Sequence, residues 1–283
     1  MKFNIKDVED FKASLISKGK SENTIKAYVS DIMTYFNNKS NYSSLEKYSI
    51  STLQRRKCSF NAFCEFTGNY EEKIKNNFKK SYTFQRESIE INHVQKMLNF
   101  LRLKFNMVKT FKSKKRIYQQ IIFLLLGNNE GLRVCEYHNV DFIDVIYRDE
   151  IHIKNSKNQT FRTLPITNVT KEIIMEFKKF LKLDNQKVDS KVFKNNRNKY
   201  ISIRTFQRWI RDIANNSKVP INIAHTHSLR HRFAVNFLKA NPQNIAYLSN
   251  LMGHKSIQTT LIYAIPTKQE LKNKMENACL IRL

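Results

Sequence analysis

Long apolar segments are absent from this 283-residue sequence. The longest apolar run, Ile121 to Leu126, is much shorter than the roughly 20 residues that a membrane-spanning helix needs. The segment after Met1 leads directly into charged residues and lacks the apolar core of a signal peptide. We therefore expect no membrane-spanning segment, no export signal and a cytoplasmic location.

Cysteine is also scarce, and its four residues are spread along the chain, at Cys58, Cys64, Cys135 and Cys279. Their spacing is not that of a metal site. All four lie in apolar stretches whose pattern is typical of helices. We expect reduced thiols of an intracellular protein and no metal site built from them.

Acidic residues are few: 24 stand against 50 lysines and arginines, which gives a net charge of +26. Residues 1–85 carry 15 basic and 9 acidic residues and the remainder carries 35 and 15, so both parts are basic. A basic surface suits a polyanion, because each neutralised phosphate releases condensed counterions. The hydrophobic content of 41% is that of a folded protein. Together these features predict a folded nucleic-acid-binding protein.

The first 82 residues have the periodicity of a small helical domain. Ser21 is in position to cap a helix. The apolar residues of this helix recur at helical spacing, at Ile25, Tyr28, Val29, Ile32, Tyr35 and Phe36. Gly19 separates it from an earlier helix around residues 8–16, and another helix is predicted over residues 51–66. We predict a bundle of about four helices in residues 1–82.

A polar, aperiodic stretch follows and predicts a linker at residues 83–90. Residues 91–283 are predicted to form a second, mixed α+β domain that ends in a helical tail, residues 267–283. Its one convincing β signal lies between residues 144 and 166, where Ile151 and Ile153 alternate with polar residues. The fold class expected for the whole chain is therefore mainly α with a small β-hairpin.

The carboxyl-terminal part holds side chains that could cleave a phosphodiester without a metal. Such a reaction needs a nucleophile, an acid for the leaving oxygen and cations for the phosphoryl oxygens. Tyr263 is a candidate nucleophile, although a phenol with a pKa of about 10 is about 4 kcal/mol short of ionisation at pH 7. The candidates to offset that deficit are Arg133, His227, Arg230 and His254. Arginine suits this task because its planar fork donates two parallel hydrogen bonds to phosphate.

Taken singly, each candidate has an ordinary structural explanation. A tyrosine in an amphipathic segment is usually a packing residue, and His231 can be structural too. Glu136 lies one helical turn beyond Arg133, where its carboxylate would hold the guanidinium, but such pairs are also common on helix surfaces. The spacing of all the candidates together is what discriminates.

The intervals between the carboxyl-terminal residues form a recognisable signature. The sequence has His227-x-x-Arg230, then Gly253-His254 24 residues after that arginine, then Tyr263 nine residues later. This order and spacing resemble the tyrosine recombinases, the phage integrase family.

Upstream segments extend the resemblance over roughly residues 90–265. The segment that contains Arg133 and Glu136 is similar to the first arginine box of the family. Lys157, which precedes Pro165 by eight positions, resembles the lysine of the family's β-hairpin. The helix around residues 21–28 is similar to the family's core-binding domain, so residues 1–82 would clamp DNA.

The resemblance implies a DNA strand transferase that needs no metal, no ATP and no other cofactor. Tyr263 would attack the scissile phosphate and form a 3′-phosphotyrosyl link that keeps the bond energy for religation. Arg133 and Arg230 would hold the non-bridging oxygens. His254 would help to stabilise the transition state, and His227 would assist the proton transfer from the tyrosine.

By the same resemblance Lys157 would protonate the departing 5′ oxygen, with Glu136 and His231 as supporting residues. The glycines that usually flank this lysine in the family are replaced here by polar residues. Lys154 lies only three residues earlier and is the alternative acid. We favour Lys157 because it keeps the family's distance to Pro165.

The resemblance also implies partners and a setting. The partner would be double-stranded DNA with short core sites, bound by a homotetramer on two sites. The tail, residues 267–283, would dock on a neighbouring protomer or else pack on its own domain. With residues 1–82 assigned to core binding, a simple bacterial recombinase of the Xer or transposon-resolution kind fits, which would resolve, invert or excise DNA of a mobile element or replicon. The alternatives are a type IB topoisomerase or telomere resolvase, and a non-catalytic DNA-binding regulator.

Overall fold

The first helices of the chain begin at side-chain caps. The computed structural model describes residues 4–37, 48–75, 89–155, 160–183, 190–266 and 268–278. The chain divides into two compact units, residues 1–82 and 83–283. The described helices of the first unit are α1 (Ile5–Ser17), α2 (Glu22–Asn37) and α3 (Ile50–Phe66). Asn4 caps α1 by accepting the Lys6 N–H at 2.6 Å, and the Ser21 hydroxyl accepts the Thr24 N–H at 3.3 Å where α2 begins.

The core of the first unit is built from one apolar stripe of each helix. Its buried residues are Val8, Phe11, Leu15, Ile25, Ile32 and Phe63. Phe11 and Phe63 meet edge to face with their ring centroids 5.3 Å apart. Asp31 is buried between α2 and α3, where Arg55 and Ser59 donate hydrogen bonds to it. The described part of this unit contains three α-helices and a 3-10 helix over Tyr70–Glu72, against about four expected helices.

The second unit is mostly helical and contains one small antiparallel sheet in its described part, which confirms the fold class expected from the sequence. Its elements are α4 (Ile91–Met107), α5 (Phe111–Asn129), a 3-10 helix (Glu136–Asn139), α6 (Phe142–Arg148), β1 (Glu150–Asn155), β2 (Thr160–Pro165), α7 (Asn168–Leu183), α8 (Ile203–Asn216), α9 (Thr226–Ala240), α10 (Ile245–Met252), α11 (Gln258–Leu261) and α12 (Lys268–Ala278). Most of the linker predicted at residues 83–90 lies outside the described residues. The predicted roles of the two domains stay predictions.

Helix α5 lies at the centre of the second unit. Its apolar run, residues 121–126, is buried because α4, α7, α8 and α9 pack around it. The Phe123 ring contacts the rings of Tyr137, Phe206 and Trp209 at centroid distances of 5.1, 5.4 and 6.3 Å. The Tyr137 hydroxyl also donates to the Phe123 carbonyl at 3.1 Å. These contacts fix the 3-10 helix against α5.

The two strands pair as the hairpin that the sequence predicts. Ile151 pairs with Leu164, and Ile153 pairs with Arg162. Ile151, Ile153 and Leu164 are buried, so the alternate positions of both strands face inward. The connection between the strands, residues 156–159, lies outside the described residues.

The described part of the chain shows neither a membrane span nor a metal cluster. None of its helices is long and apolar enough to cross a bilayer, and no three of its His, Cys, Asp and Glu side chains are placed to hold an ion. Cys58 and Cys135 are exposed free thiols, and Cys64 is buried. Cys135 lies in a turn after α5 and not in a helix, contrary to expectation.

Removal of the Phe123 ring is expected to destabilise the second unit by about 3–5 kcal/mol, because Phe123→Ala leaves a cavity among rings that cannot fully close it. Urea unfolding followed by Trp209 fluorescence measures this, since Trp209 is the single tryptophan and contacts Phe123. Phe161→Ala is the matched control. Phe161 is 72% exposed, so its loss should change stability by no more than about 0.5 kcal/mol. Equal unfolding midpoints of the two variants would contradict the core position of Phe123.

Candidate active site

The site begins at the turn that follows α5. Gly131 adopts a positive φ of 66°, a conformation that glycine reaches without strain. A Cβ atom at this position would stand 2.3 Å from a ring carbon of Phe233 in α9, so a larger residue does not fit. The Gly131 carbonyl accepts a 2.6 Å hydrogen bond from Nη1 of Arg230. The turn therefore holds one of the two predicted arginines.

A second glycine turn follows α10. Gly253 ends this helix in the left-handed conformation, with φ of 58°. A Cβ atom on Gly253 would lie 2.7 Å from Nη1 of Arg162. The Gly253 carbonyl accepts from Nη2 of Arg133 at 3.0 Å, and the Met252 carbonyl accepts from Nη2 of Arg230 at 2.5 Å. Two turns far apart in sequence thus fix both predicted arginines.

The carboxylate of Glu136 lies among three guanidinium groups. Arg133 donates from Nη1 to Oε1 at 2.9 Å and from its backbone N to Oε2 at 2.8 Å. Arg162 donates from Nη1 to Oε1 at 2.9 Å and from Nη2 to Oε2 at 2.8 Å. Nη1 of Arg230 is 3.8 Å from Oε2. Since one carboxylate offsets one of three cations, the cluster keeps a net positive charge.

These buried groups stay ionised. Burial acts to raise the pKa of Glu136, but the hydrogen bonds and charges of Arg162 and Arg133 outweigh it and hold the pKa below its ordinary value. Burial and the neighbouring Arg133 lower the pKa of Arg230 to about 10. Both groups therefore carry their charge at neutral pH.

The expected pairing of Arg133 with Glu136 is present, but its backbone is not an α-helix. A 3-10 helix begins at Glu136, and the Glu136 N–H donates to the Arg133 carbonyl at 2.8 Å. The tight turn brings the carboxylate back to the Arg133 N–H. Glu136 is only 6% exposed, so the alternative of an exposed surface pair does not describe it.

His254 lies between Arg230 and Thr260. Nη2 of Arg230 is 3.2 Å from Nε2 of His254, and a guanidinium can only donate, so Nε2 accepts and carries no proton. The proton is therefore on Nδ1, which donates to the Thr260 hydroxyl at 2.8 Å. Thr260 is fully buried. The contacts fix a neutral imidazole in one orientation.

Tyr263 follows α11 and stacks on His254, with ring centroids 6.3 Å apart and an interplanar angle of 18°. It also packs against an apolar cluster of α9 and α10, whose buried residues are Ala234, Leu238, Leu248 and Met252. Burial raises the pKa of the phenol above its ordinary value, although Arg230 and Arg133 act to lower it. The phenol is therefore neutral in the free protein.

Helix α9 presents three predicted residues at helical spacing. Arg230 is 3% exposed, His227 one turn earlier is only partly exposed, and the His231 ring lies 5.0 Å from the Tyr263 ring. Partial burial and the charges of Arg230 and Arg133 lower the pKa of His227, and burial lowers the pKa of His231. Both imidazoles are therefore neutral at neutral pH.

The structure describes only one of the two lysine candidates. Lys157 lies outside the described residues. Lys154 is on β1, exposed, with its ammonium 5.9 Å from the Phe161 ring centroid. It lines a cleft together with Arg133, Cys135, Glu136, Asn139, Gly253, His254, Lys255 and Thr259. Lys154 therefore borders the cleft of the arginine cluster, and the choice between the lysines stays a prediction.

Arg162 and Thr260 belong to the site but were missed as site residues in the sequence. Arg162 occupies an inward-facing strand position in line with the buried Leu164, and a charged residue in such a register is a readable signal of a buried partner. Thr260 carries no comparable signal. Its contact with His254 depends on how α11 packs after the turn at Gly253.

Known proteins with similar sequences and folds are recombinases. Residues 87–270 match the model of the phage integrase family. Tyrosine recombinase XerA of Pyrococcus horikoshii is 26% identical over 291 residues, which cover 97% of this chain and 94% of that protein. The Tn1549 transposon integrase in complex with circular intermediate DNA has a TM-score of 0.65 at 14% identity, covering 96% and 99% of the two chains. The XerH site-specific recombinase bound to its difH substrate has a TM-score of 0.62 at 16% identity, covering 81% and 65%.

His254 is expected to stay neutral in the free protein down to about pH 4, because burial and the charges of Arg230 and Arg133 lower its pKa from 6.5 to about 4. Between these values the unfolded chain binds a proton that the folded chain does not, so stability falls as the pH falls through this window. Denaturation from pH 7 to pH 4 should show a smaller loss for His254→Gln than for the wild type. A ring that titrates near pH 6.5 by NMR in the folded protein would contradict the assignment.

Proposed function

Because the chain belongs to the phage integrase family, we propose that it is a site-specific recombinase that cleaves and rejoins double-stranded DNA through Tyr263. The observation that carries this proposal is the cluster in which Tyr263 stacks on His254 beside Arg230 and Arg133. The net charge of +26 suits a DNA partner. The DNA complexes of XerH and of the Tn1549 integrase support the same class of partner.

Arg133 and Arg230 bind the non-bridging oxygens of the scissile phosphate. Both guanidinium groups are held by backbone carbonyls before any substrate arrives, so little reorganisation is needed when DNA binds. The net positive charge of the cluster stabilises the extra negative charge that develops on the five-coordinate phosphorane. His254 stabilises the same transition state once the negative charge of the phosphate favours the protonated imidazole, because Nε2 then has a proton to donate.

Tyr263 is the nucleophile. Its phenol oxygen forms a bond to the phosphorus at the 3′ end of the cut strand, and the bond from phosphorus to the 5′ oxygen breaks. Because the phenol is neutral in the free protein, its proton must leave as the new bond forms. His227 is a neutral imidazole near the same arginines and accepts this proton. His231 packs on the Tyr263 ring and holds its orientation.

The departing 5′ oxygen needs a proton, since an alkoxide is a poor leaving group. We assign this proton to Lys157, in keeping with its position in the hairpin segment. Lys154 is the alternative, and its place at the cleft beside Arg133 and His254 supports that alternative.

A homotetramer on two core sites is the proposed assembly, with the tail of each protomer docked on its neighbour. None of the described residues of α12 is buried, and Met275 is 65% exposed. Glu270 pairs with Lys239 of α9 at 2.5 Å, so the start of α12 contacts its own chain. The exposed remainder of α12 is the part proposed to contact the neighbouring protomer. The near full-length match to XerA supports a simple recombinase. The proposed role is resolution, inversion or excision of a mobile element or replicon in a bacterial cytoplasm.

Tyr263→Phe is expected to bind DNA with unchanged affinity and to form no covalent adduct on a nicked suicide substrate, because it lacks the attacking oxygen. The core site for that substrate comes from sequencing the DNA ends that the wild type captures from a library. Denaturing gels detect the adduct. Tyr247→Phe is the matched control, since Tyr247 is a 58% exposed tyrosine of α10 and should leave adduct formation unchanged. An adduct at the wild-type level from Tyr263→Phe would overturn the assignment of the nucleophile.

Lys157→Ala is expected to slow cleavage of an ordinary 5′-oxygen substrate by about 10²-fold or more, because general acid catalysis is lost. Most of that loss should disappear when the leaving group is a 5′-thiol, which departs without an acid. Single-turnover cleavage rates of both substrates test this. Lys154→Ala is measured beside it, and thiol rescue of Lys154→Ala alone would transfer the role to Lys154. Equal losses on both substrates for both variants would exclude either lysine as the acid.

A further inference from the structure

Arg162 joins the hairpin to the arginine cluster through three side-chain hydrogen bonds. Its Nε donates to the Leu251 carbonyl at 3.0 Å, and its two Nη atoms donate to the two oxygens of Glu136. The side chain is 15% exposed. One guanidinium therefore links β2 to the end of α10 and to the 3-10 helix, the two segments that hold the predicted arginines.

Arg162 is placed to hold the site and not to bind phosphate. Its Nε and both Nη atoms donate to protein acceptors, and Arg162 lines the neighbouring cleft with Lys154 and Phe161 and not the cleft of Arg133 and His254. Gly253 lies directly against the Arg162 guanidinium, with no room for a Cβ atom between them. Arg133, by contrast, lines the cleft beside His254. The two arginines share one carboxylate but serve different purposes.

The hairpin that Arg162 anchors carries both lysine candidates. Arg162 pairs with Ile153, and the next pair along the ladder is Phe161 with Lys154. Lys157 follows in the connection between the strands. A strand rises about 3.3 Å per residue, so an anchor one pair away from Lys154 restricts how far the hairpin can shift. A displacement of about 1 Å can reduce a catalytic rate about 10²-fold.

Arg133 and Arg230, the proposed phosphate clamp, keep most of their own contacts without Arg162, whereas the hairpin loses its anchor. Glu136 keeps its two hydrogen bonds from Arg133 when Arg162 is replaced, and Arg230 keeps its two carbonyl acceptors. We propose that Arg162 is a positioning residue that sets the place of the lysine-bearing hairpin relative to the arginine cluster. This inference rests on the proposed recombinase function.

Arg162→Lys tests the proposal, because one ammonium cannot bond both Glu136 oxygens and the Leu251 carbonyl together. The expected result is an adduct rate about 10²-fold lower on the 5′-oxygen substrate. Most of this loss should disappear on the 5′-thiol substrate, and DNA affinity should stay unchanged. Arg148→Lys is the matched control, since Arg148 is an exposed arginine paired with Asp144 at 2.8 Å. This variant should form the adduct at the wild-type rate on both substrates.

A wild-type rate for Arg162→Lys, or the same loss on both substrates, would overturn the proposal. Arg133→Lys supplies the reference for a damaged clamp, with equal losses on both substrates. If Arg162→Lys does not fold, Arg162→Met, which keeps an apolar stem and removes the charge, is measured in the same way. Failure of the recombinase function itself looks different, because the wild-type chain would then form no adduct with any DNA.

Discussion

The buried carboxylate of Glu136 is the interaction on which the site depends. Three guanidinium groups this close repel one another, and a single carboxylate that accepts three hydrogen bonds from two of them and a fourth from the Arg133 backbone N–H offsets part of that repulsion. Burying such charges is costly unless their hydrogen bonds are made, and here they are. The next residue, Tyr137, packs into the aromatic core beside α5, so the position of the carboxylate is set by the core of the unit. Packing of the core therefore sets the geometry of the site.

The arginine charges that favour phosphate binding also set the protonation of the neighbouring histidines. Arg230 and Arg133 favour a neutral His254 and a neutral His227 while the site holds no anion. An incoming phosphate contributes negative charge and reduces this repulsion. The proton affinity of the imidazoles then rises when the substrate is present. Binding and proton transfer are coupled through the arginines.

Much of this could be predicted from local sequence pattern, because the relevant signals lie within one or two turns of chain. The cap at Ser21 predicted α2, and the alternation of Ile151 and Ile153 with polar residues predicted the hairpin. The structure confirms both. The segment from Arg133 to Glu136 was misjudged as α-helical, since a spacing of three residues suits a 3-10 turn equally well. The hydroxyl of Thr260 could not be predicted, because its contact with His254 depends on packing between segments that local pattern does not report.

The partners of the key side chains are distant in sequence. Arg133 bonds to a carbonyl 120 residues further along the chain, and Arg230 bonds to one 99 residues earlier. A chain still on the ribosome, or one cut short by a protease before the end of α10, lacks the carbonyls of Met252 and Gly253, so Arg133 loses its backbone acceptor and Arg230 loses one of its two. The arrangement of both arginines is therefore complete only once the segment that ends α10 has folded against the turn after α5.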